Sequence, residues 1–362
     1  MSLPSPFSSS GEICGYFDLR SQPTRTVPLF SSRFSRSILV SSGGLILISG
    51  HIRAPLDCRA ADAPALRANY SAFSGAFAPV WIAADKGLFA KYGLNVDIRY
   101  IAPATSTQAL LAKNLDIINP GGEIVEAGLN GEPVVYIAGI LNRAVMSLYA
   151  KPEIASIADL KGKVLAVTVP GATTDFAARV LLQQARLTPG KDVKILYLKG
   201  MVEILAGINQ GNADAGIFTA PTTLKAGHAG LKELINVTEK NIPMIHAAFA
   251  STREYVKTHP DNVRRFLQAY LEGIKIASTD AELAKQIIGK YTKTTDASDL
   301  ENSYQTFLAA WERLPIVPAA AVQTMLNFAT HPGAKAAKPE NYIDNSILTE
   351  LGKSGFVDRL YK

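Results

Sequence analysis

Residues 167–182 read Val-Thr-Val-Pro-Gly-Ala-Thr-Thr-Asp-Phe-Ala-Ala-Arg-Val-Leu-Leu. They pass from a short apolar strand through a glycine turn into a helix opened by two threonines. The N-terminus of a helix presents unpaired backbone N–H groups and a partial positive charge, so such a joint holds anions and polar acceptors. Its shape is that of a phosphate loop. Yet no Lys follows Gly171, and the G-x-x-x-x-G-K-[ST] pattern is missing. The joint instead offers neutral donors: the Thr173 and Thr174 hydroxyls and the helix N–H groups.

The chain around this joint alternates strand and helix. Strands are expected over 66–71, 95–101, 117–119 and 133–140, and helices over 77–92, 105–114 and 123–129. In the first helix Val80, Ala83, Ala84, Leu88 and Phe89 recur near a 3.6-residue period, and Gly93 stops it. Asn130-Gly131 is a turn signal before the last of these strands. One more strand, 146–150, leads away from this unit. A second run then begins, with strands at 164–169, 193–198, 215–218 and 231–237 and helices at 173–185, 201–210 and 221–229. Residues 246–251 form a returning strand. Beyond them the pattern is helical, over 263–278, 281–291, 300–311 and 319–328. Such β-α alternation argues for parallel sheets covered by helices. Two units with extended crossings near 146–150 and 246–251 imply two α/β lobes joined by a two-strand hinge. Between them lies a cleft, where strand ends and helix N-termini converge.

Composition narrows the function classes. The 362 residues are 48% hydrophobic and 19% charged, with a formal net charge of +6. Charges are dispersed, with no basic cluster interleaved with aromatics, so no nucleic-acid partner is expected. Residues 1–63 differ from the rest. Arg33 and Arg36 precede the apolar run 38–48, and Ala61-Asp62-Ala63 follows, which together read as a removed secretory signal peptide behind an N-terminal extension. Export to the periplasm is the expectation. Both cysteines, Cys14 and Cys58, fall in that segment, leaving no disulfide or thiolate beyond it. His228, His246, His259 and His331 are scattered, without H-x-x-x-H or H-E-x-x-H spacing, and no G-x-S-x-G or dinucleotide fingerprint occurs. No enzyme activity, cofactor or metal is expected.

Four segments carry a family resemblance. They are Pro79-Val-Trp-Ile-Ala-Ala-Asp-Lys-Gly-Leu-Phe-Ala-Lys-Tyr-Gly-Leu-Asn-Val96, Ala109-Leu-Leu-Ala-Lys-Asn-Leu-Asp-Ile117, Ile157-Ala-Asp-Leu-Lys-Gly-Lys-Val-Leu-Ala-Val167 and Asn209-Gln-Gly-Asn-Ala-Asp-Ala-Gly216. In these the chain resembles substrate-binding proteins of ABC importers for nitrate, sulfonates, taurine and thiamine-pyrimidine precursors. The resemblance implies a type II periplasmic-binding-protein fold with its helical C-terminal segment packed on the first lobe. It places residues 64–150 and 247–362 in the first lobe and 151–246 in the second. It implies a monomer that captures a small organic anion, sulfonate or heteroaromatic compound and delivers it to a membrane permease. The alternatives are a ligand-presenting sensor or a pyrimidine-precursor enzyme on the same fold.

Mapped by this resemblance, the pocket draws on Phe73, Ser74, Gly75, Trp81, Thr105, Ser106, Gly122 and Glu123 from the first lobe. The second lobe offers Gly171, Thr173, Thr174, Phe176 and Thr219. Arg143 is a further candidate, able to hold an acidic ligand bidentately. Glu123 points the other way. Facing the cleft, it repels nitrate or sulfonate and prefers an amine, an amide or a pyrimidine N–H; otherwise it only complements its helix dipole. The residues alone do not choose between these two ligands.

Overall fold

A computed structural model describes residues 65–362. The expected signal peptide and both cysteines lie outside the described residues. The first lobe opens with β1 (Leu66–Tyr70), which pairs in parallel with β2 (Val96–Tyr100), Leu66 facing Val96. Between them run a 3-10 turn (Gly75–Phe77), α1 (Ala78–Asp85) and α2 (Leu88–Lys91). The single helix expected over 77–92 is thus divided. Gly87 takes φ +66°, a left-handed conformation open to glycine, and the chain turns there. Next come α3 (Pro103–Leu111), α4 (Glu123–Leu129) and β3 (Val134–Arg143). Nine of the ten β3 residues are buried, as befits a strand covered on both faces.

The second lobe holds β4 (Ser147–Ala150), β5 (Val164–Val167), α5 (Thr173–Gln184), β6 (Lys194–Tyr197), α6 (Met201–Asn209), β7 (Ala215–Phe218), α7 (Thr222–His228) and β8 (Lys232–Asn236). Its five-stranded sheet runs β6-β5-β7-β4-β8. Strand β5 is parallel to both β6 and β7, while β4 is antiparallel to β7 and β8. The strand expected to cross between lobes at 146–150 therefore lies inside this sheet, with Ser147 opposite Phe218 and Asn236. The crossing falls earlier, where β3 ends.

The chain returns through β9 (Pro243–Thr252), antiparallel to β3. Single bridges from Ala68 to Ile117 and from Ile118 to Ala250 stitch β1 to β9. They reduce the strand expected at 117–119 to one rung on each side. The tail is helical: α8 (Arg253–Thr258), α9 (Pro260–Thr279), α10 (Ala281–Thr292), α11 (Ala297–Leu308), α12 (Ala319–Phe328), α13 (Ser346–Lys353) and α14 (Phe356–Leu360). Helix α9 lies along α1, and Phe266, Tyr270 and Ile274 join Trp81 in one buried core. Among the described residues no helix is long and apolar enough to cross a membrane.

Candidate ligand-binding cleft

A cleft of about 370 Å³ opens between the lobes. The first lobe supplies Ser71, Phe73 and Ser74 from the loop after β1, Tyr100 at the end of β2, and Glu123 at the start of α4. The second supplies Thr168 and Thr173–Thr174 after β5, Lys199 to Glu203 after β6, and Thr219 and Thr222 after β7. His246 on β9 closes the inner side. Every wall except His246 follows the carboxyl end of a strand or opens a helix, where α/β sheets gather ligand groups.

Much of the polarity is spent on building the walls. The Thr168 N–H donates to Thr174 Oγ1 at 3.0 Å, and the two threonine hydroxyls lie 2.7 Å apart. Thr173 Oγ1 donates to the His246 carbonyl at 2.8 Å. The Gly171 N–H and Arg179 Nε both donate to Asp175 Oδ2, at 3.0 and 3.1 Å. The quoted turn is therefore braced by its own hydroxyls, and the backbone N–H groups opening α5 stay without an intrahelical partner. Across the cleft, Ser74 Oγ donates to the Ala220 carbonyl at 3.4 Å, which ties the lobes together.

Two titratable groups sit inside. Glu123 Oε2 accepts the Gly121 N–H at 2.6 Å, and burial raises the carboxyl's pKa. His246 Nδ1 accepts the Val145 N–H at 3.0 Å, and burial pulls its pKa down to about 4. The ring is therefore neutral near pH 7 and carries its hydrogen on Nε2, a donor. At the mouth, the Phe73 and Tyr100 rings stack with centroids 4.5 Å apart, and both are exposed.

Of the residues expected here, the cleft lining includes Phe73, Ser74, Glu123, Thr173, Thr174 and Thr219. The others lie elsewhere. Trp81 is fully buried and stacks on Tyr291 at 4.4 Å, because α1 is apolar on every side. Gly75 is buried, and a Cβ there would meet Ser303 Oγ. Thr105 points to solvent, and Ser106 is buried with its hydroxyl on the Pro103 carbonyl; α3 starts two residues earlier than expected, so Pro103 takes the lining position. Gly122 and Phe176 face each other rather than the cleft, since a Cβ at Gly122 would strike the Phe176 ring. Gly171, at φ +74°, shapes the turn and is not among the lining residues. Arg143 Nη2 donates to the Ala309 carbonyl at 2.7 Å, pinning the end of β3 to the C-terminal helices. Sequence reasoning missed Tyr100, His246, Lys199 and Glu203. For Tyr100 a signal existed, an aromatic at a strand end. His246, alone in an apolar strand, gave none.

Comparison with known proteins agrees with this architecture. The chain spans about three fifths of the length of the curated relatives it matches. One is a candidate ABC transporter periplasmic binding protein of Brachyspira hyodysenteriae, 24% identical over 207 residues, covering 55% of this chain and 59% of the relative. Two solved structures share the fold. The periplasmic nitrate-binding protein NrtA from Synechocystis PCC 6803 superposes with a TM-score of 0.65 at 16% identity, over 81% of this chain and 89% of that one. The periplasmic aliphatic sulphonate-binding protein SsuA from Escherichia coli does so with a TM-score of 0.59 at 20% identity, over 73% and 90%. The expected periplasmic-binding-protein fold is the one observed. The NMT1/THI5-like family pattern matches residues 74–284, more than half of the sequence, and the chain belongs to that family.

Proposed function

We propose that this protein is a non-enzymatic solute-binding component of an ABC importer, closing over one small molecule in the periplasm and passing it to a membrane permease. The observation that carries this reading is the cleft itself, whose polar groups come from both lobes. A ligand there touches both walls only when the lobes are together, so its binding energy favours the closed form. In this reading the described part of the first lobe runs from residue 65 to the end of β3 and resumes at 247, and Ser147–Ala150 goes with the sheet of the second lobe. Among the ligand classes considered, the stacked Phe73 and Tyr100 favour an aromatic body over a bare inorganic anion.

The test is a thermal-shift screen over organic acids, sulfonates and heteroaromatic compounds, followed by calorimetric stoichiometry. A ligand that binds only the native state raises the midpoint, by about 2.7 kcal/mol of stability at a hundredfold excess over Kd. One-to-one binding by a compound from these classes is the expected result. A midpoint moved only by metal ions or oligosaccharides would overturn the reading.

A further inference from the structure

The charges lining the cleft run against an oxyanion. They are two carboxylates, Glu123 inside and Glu203 at the mouth, and one exposed lysine, Lys199, with no arginine. His246 is neutral there and adds no charge. Glu123 is held by the Gly121 N–H, and among the described residues no ion pair includes it. Burial drives this carboxyl toward its protonated form when nothing positive is near, and a cation beside it restores the carboxylate, which an anion would repel. The fold leaves this position for a positive group to fill.

The mouth supplies the second half of the argument. Four large hydrophobic side chains are exposed among the described residues: Phe73, Tyr100, Tyr197 and Val202. Three of them, Phe73 at 50%, Tyr100 at 44% and Val202 at 71%, line this one cleft, the aromatics on the first lobe and Val202 on the second. The stacked aromatic faces attract flat apolar groups and cations alike.

We infer that the ligand is an organic cation with a flat apolar body, its protonated nitrogen on the Glu123 carboxylate and its body between Phe73–Tyr100 and Val202. Glu123 is then the specificity residue that rejects nitrate-like and sulfonate-like anions. Specificity of this kind comes from repulsion as much as from attraction. The His246 Nε2–H and the N–H groups opening α5 remain for an acceptor elsewhere on the ligand. This inference rests on the binding-protein reading and adds the ligand's charge to it.

Three probes of similar size and different charge test it: benzamidine, benzamide and benzenesulfonate, titrated calorimetrically into the full-length protein. The expected order in the wild type is benzamidine over benzamide over benzenesulfonate, with at least about tenfold between the ends. Glu123→Gln keeps an acceptor for the Gly121 N–H. It is expected to lose about tenfold or more for benzamidine while benzenesulfonate binding holds or improves. Phe73→Ala, at an exposed position, is expected to weaken all three probes and keep their order. Circular dichroism confirms that both variants fold. Benzenesulfonate binding the wild type as tightly as benzamidine would overturn the charge assignment and leave the binding-protein reading standing. So would a Glu123→Gln protein that keeps its benzamidine affinity. If none of the three binds, the cation assignment falls, and the wider thermal-shift screen decides the binding-protein reading separately.

Discussion

His246 shows how a single side chain ties the hinge to the cleft. Its Nδ1 takes the Val145 N–H, its carbonyl takes the Thr173 hydroxyl, and its ring lines the inner wall. Burial lowers its pKa from the ordinary 6.5 to about 4. Between these values the unfolded chain binds a proton that the folded chain refuses. This contribution to stability is thus whole above pH 6.5 and drains away as pH falls toward 4, by at most about 3 kcal/mol. His246→Asn keeps an acceptor in the place of Nδ1 and cannot titrate. Urea unfolding at pH 7, 5.5 and 4.5 should show a shallower loss for the variant than for the wild type. Equal slopes would mean that other groups set the acid sensitivity. Nothing in the local sequence announces such a histidine, because its role comes from partners 73 and 101 positions away. Ser74, Thr173 and Glu123 were legible for the opposite reason: each sits within two positions of a glycine at the turn that opens a helix, where the local pattern narrows what the residue faces. Trp81 and Arg143 were misplaced because their orientation is decided by helices near the end of the chain, Trp81 by Tyr291 and Arg143 by Ala309.

At the scale of elements, the sequence foretold those whose boundaries are chemical. Strand β7 and helix α12 fall where the apolar period and Pro318 place them. What it did not foretell depends on pairing. Residues 117–119 and 147–150 look alike as short apolar runs, yet the first makes isolated bridges and the second is an inner strand of a five-stranded sheet. The short helices α8 and α14 carry too few turns for a periodic signal. The contact of α9 with α1 makes a sharp prediction about glycine. A Cβ at Gly273 would collide with the Pro79 backbone carbonyl, which cannot swing aside as a side chain can. Gly227 in α7 has nothing within 4 Å of its Cβ position. Glycine in a helix costs about 0.5–1 kcal/mol against alanine, so Gly227→Ala should stabilise by about that much. At Gly273 the same gain is outweighed by overpacking of about 1–3 kcal/mol, and Gly273→Ala should destabilise. Denaturant midpoints of the two variants should move in opposite directions. A Gly273→Ala protein as stable as the wild type would show that α9 can shift away from α1 freely.

For the whole molecule the decisive property is whether the lobes move. The contacts between the lobes are polar and apolar: Ser74 Oγ donates to the Ala220 carbonyl, and the Phe176 ring of α5 lies against Gly122 and Met325 in a buried apolar cluster that draws on both lobes. Farther out, the Asp296 carboxyl is held below its ordinary range, chiefly by the Ser298 hydroxyl and in smaller part by His228 at the end of α7. Neutral hydrogen bonds of this kind contribute about 1 kcal/mol each. A ligand shifts the balance between open and closed forms only by its differential affinity for them, and a few kcal/mol suffices. The absence of cysteine from residues 65–362 makes the motion easy to label. With Cys14 and Cys58 replaced, Ala229→Cys beyond α7 and Lys293→Cys beyond α10, both exposed, place one dye on each lobe. Energy transfer between them should rise on saturation with whichever probe gives the largest thermal shift, and Ser74→Ala should lower the transfer of the free protein without abolishing that rise. If transfer stays constant while calorimetry records binding, the cleft is a preformed pocket. Delivery to a permease would then have to work without the difference in shape that marks a loaded binding protein.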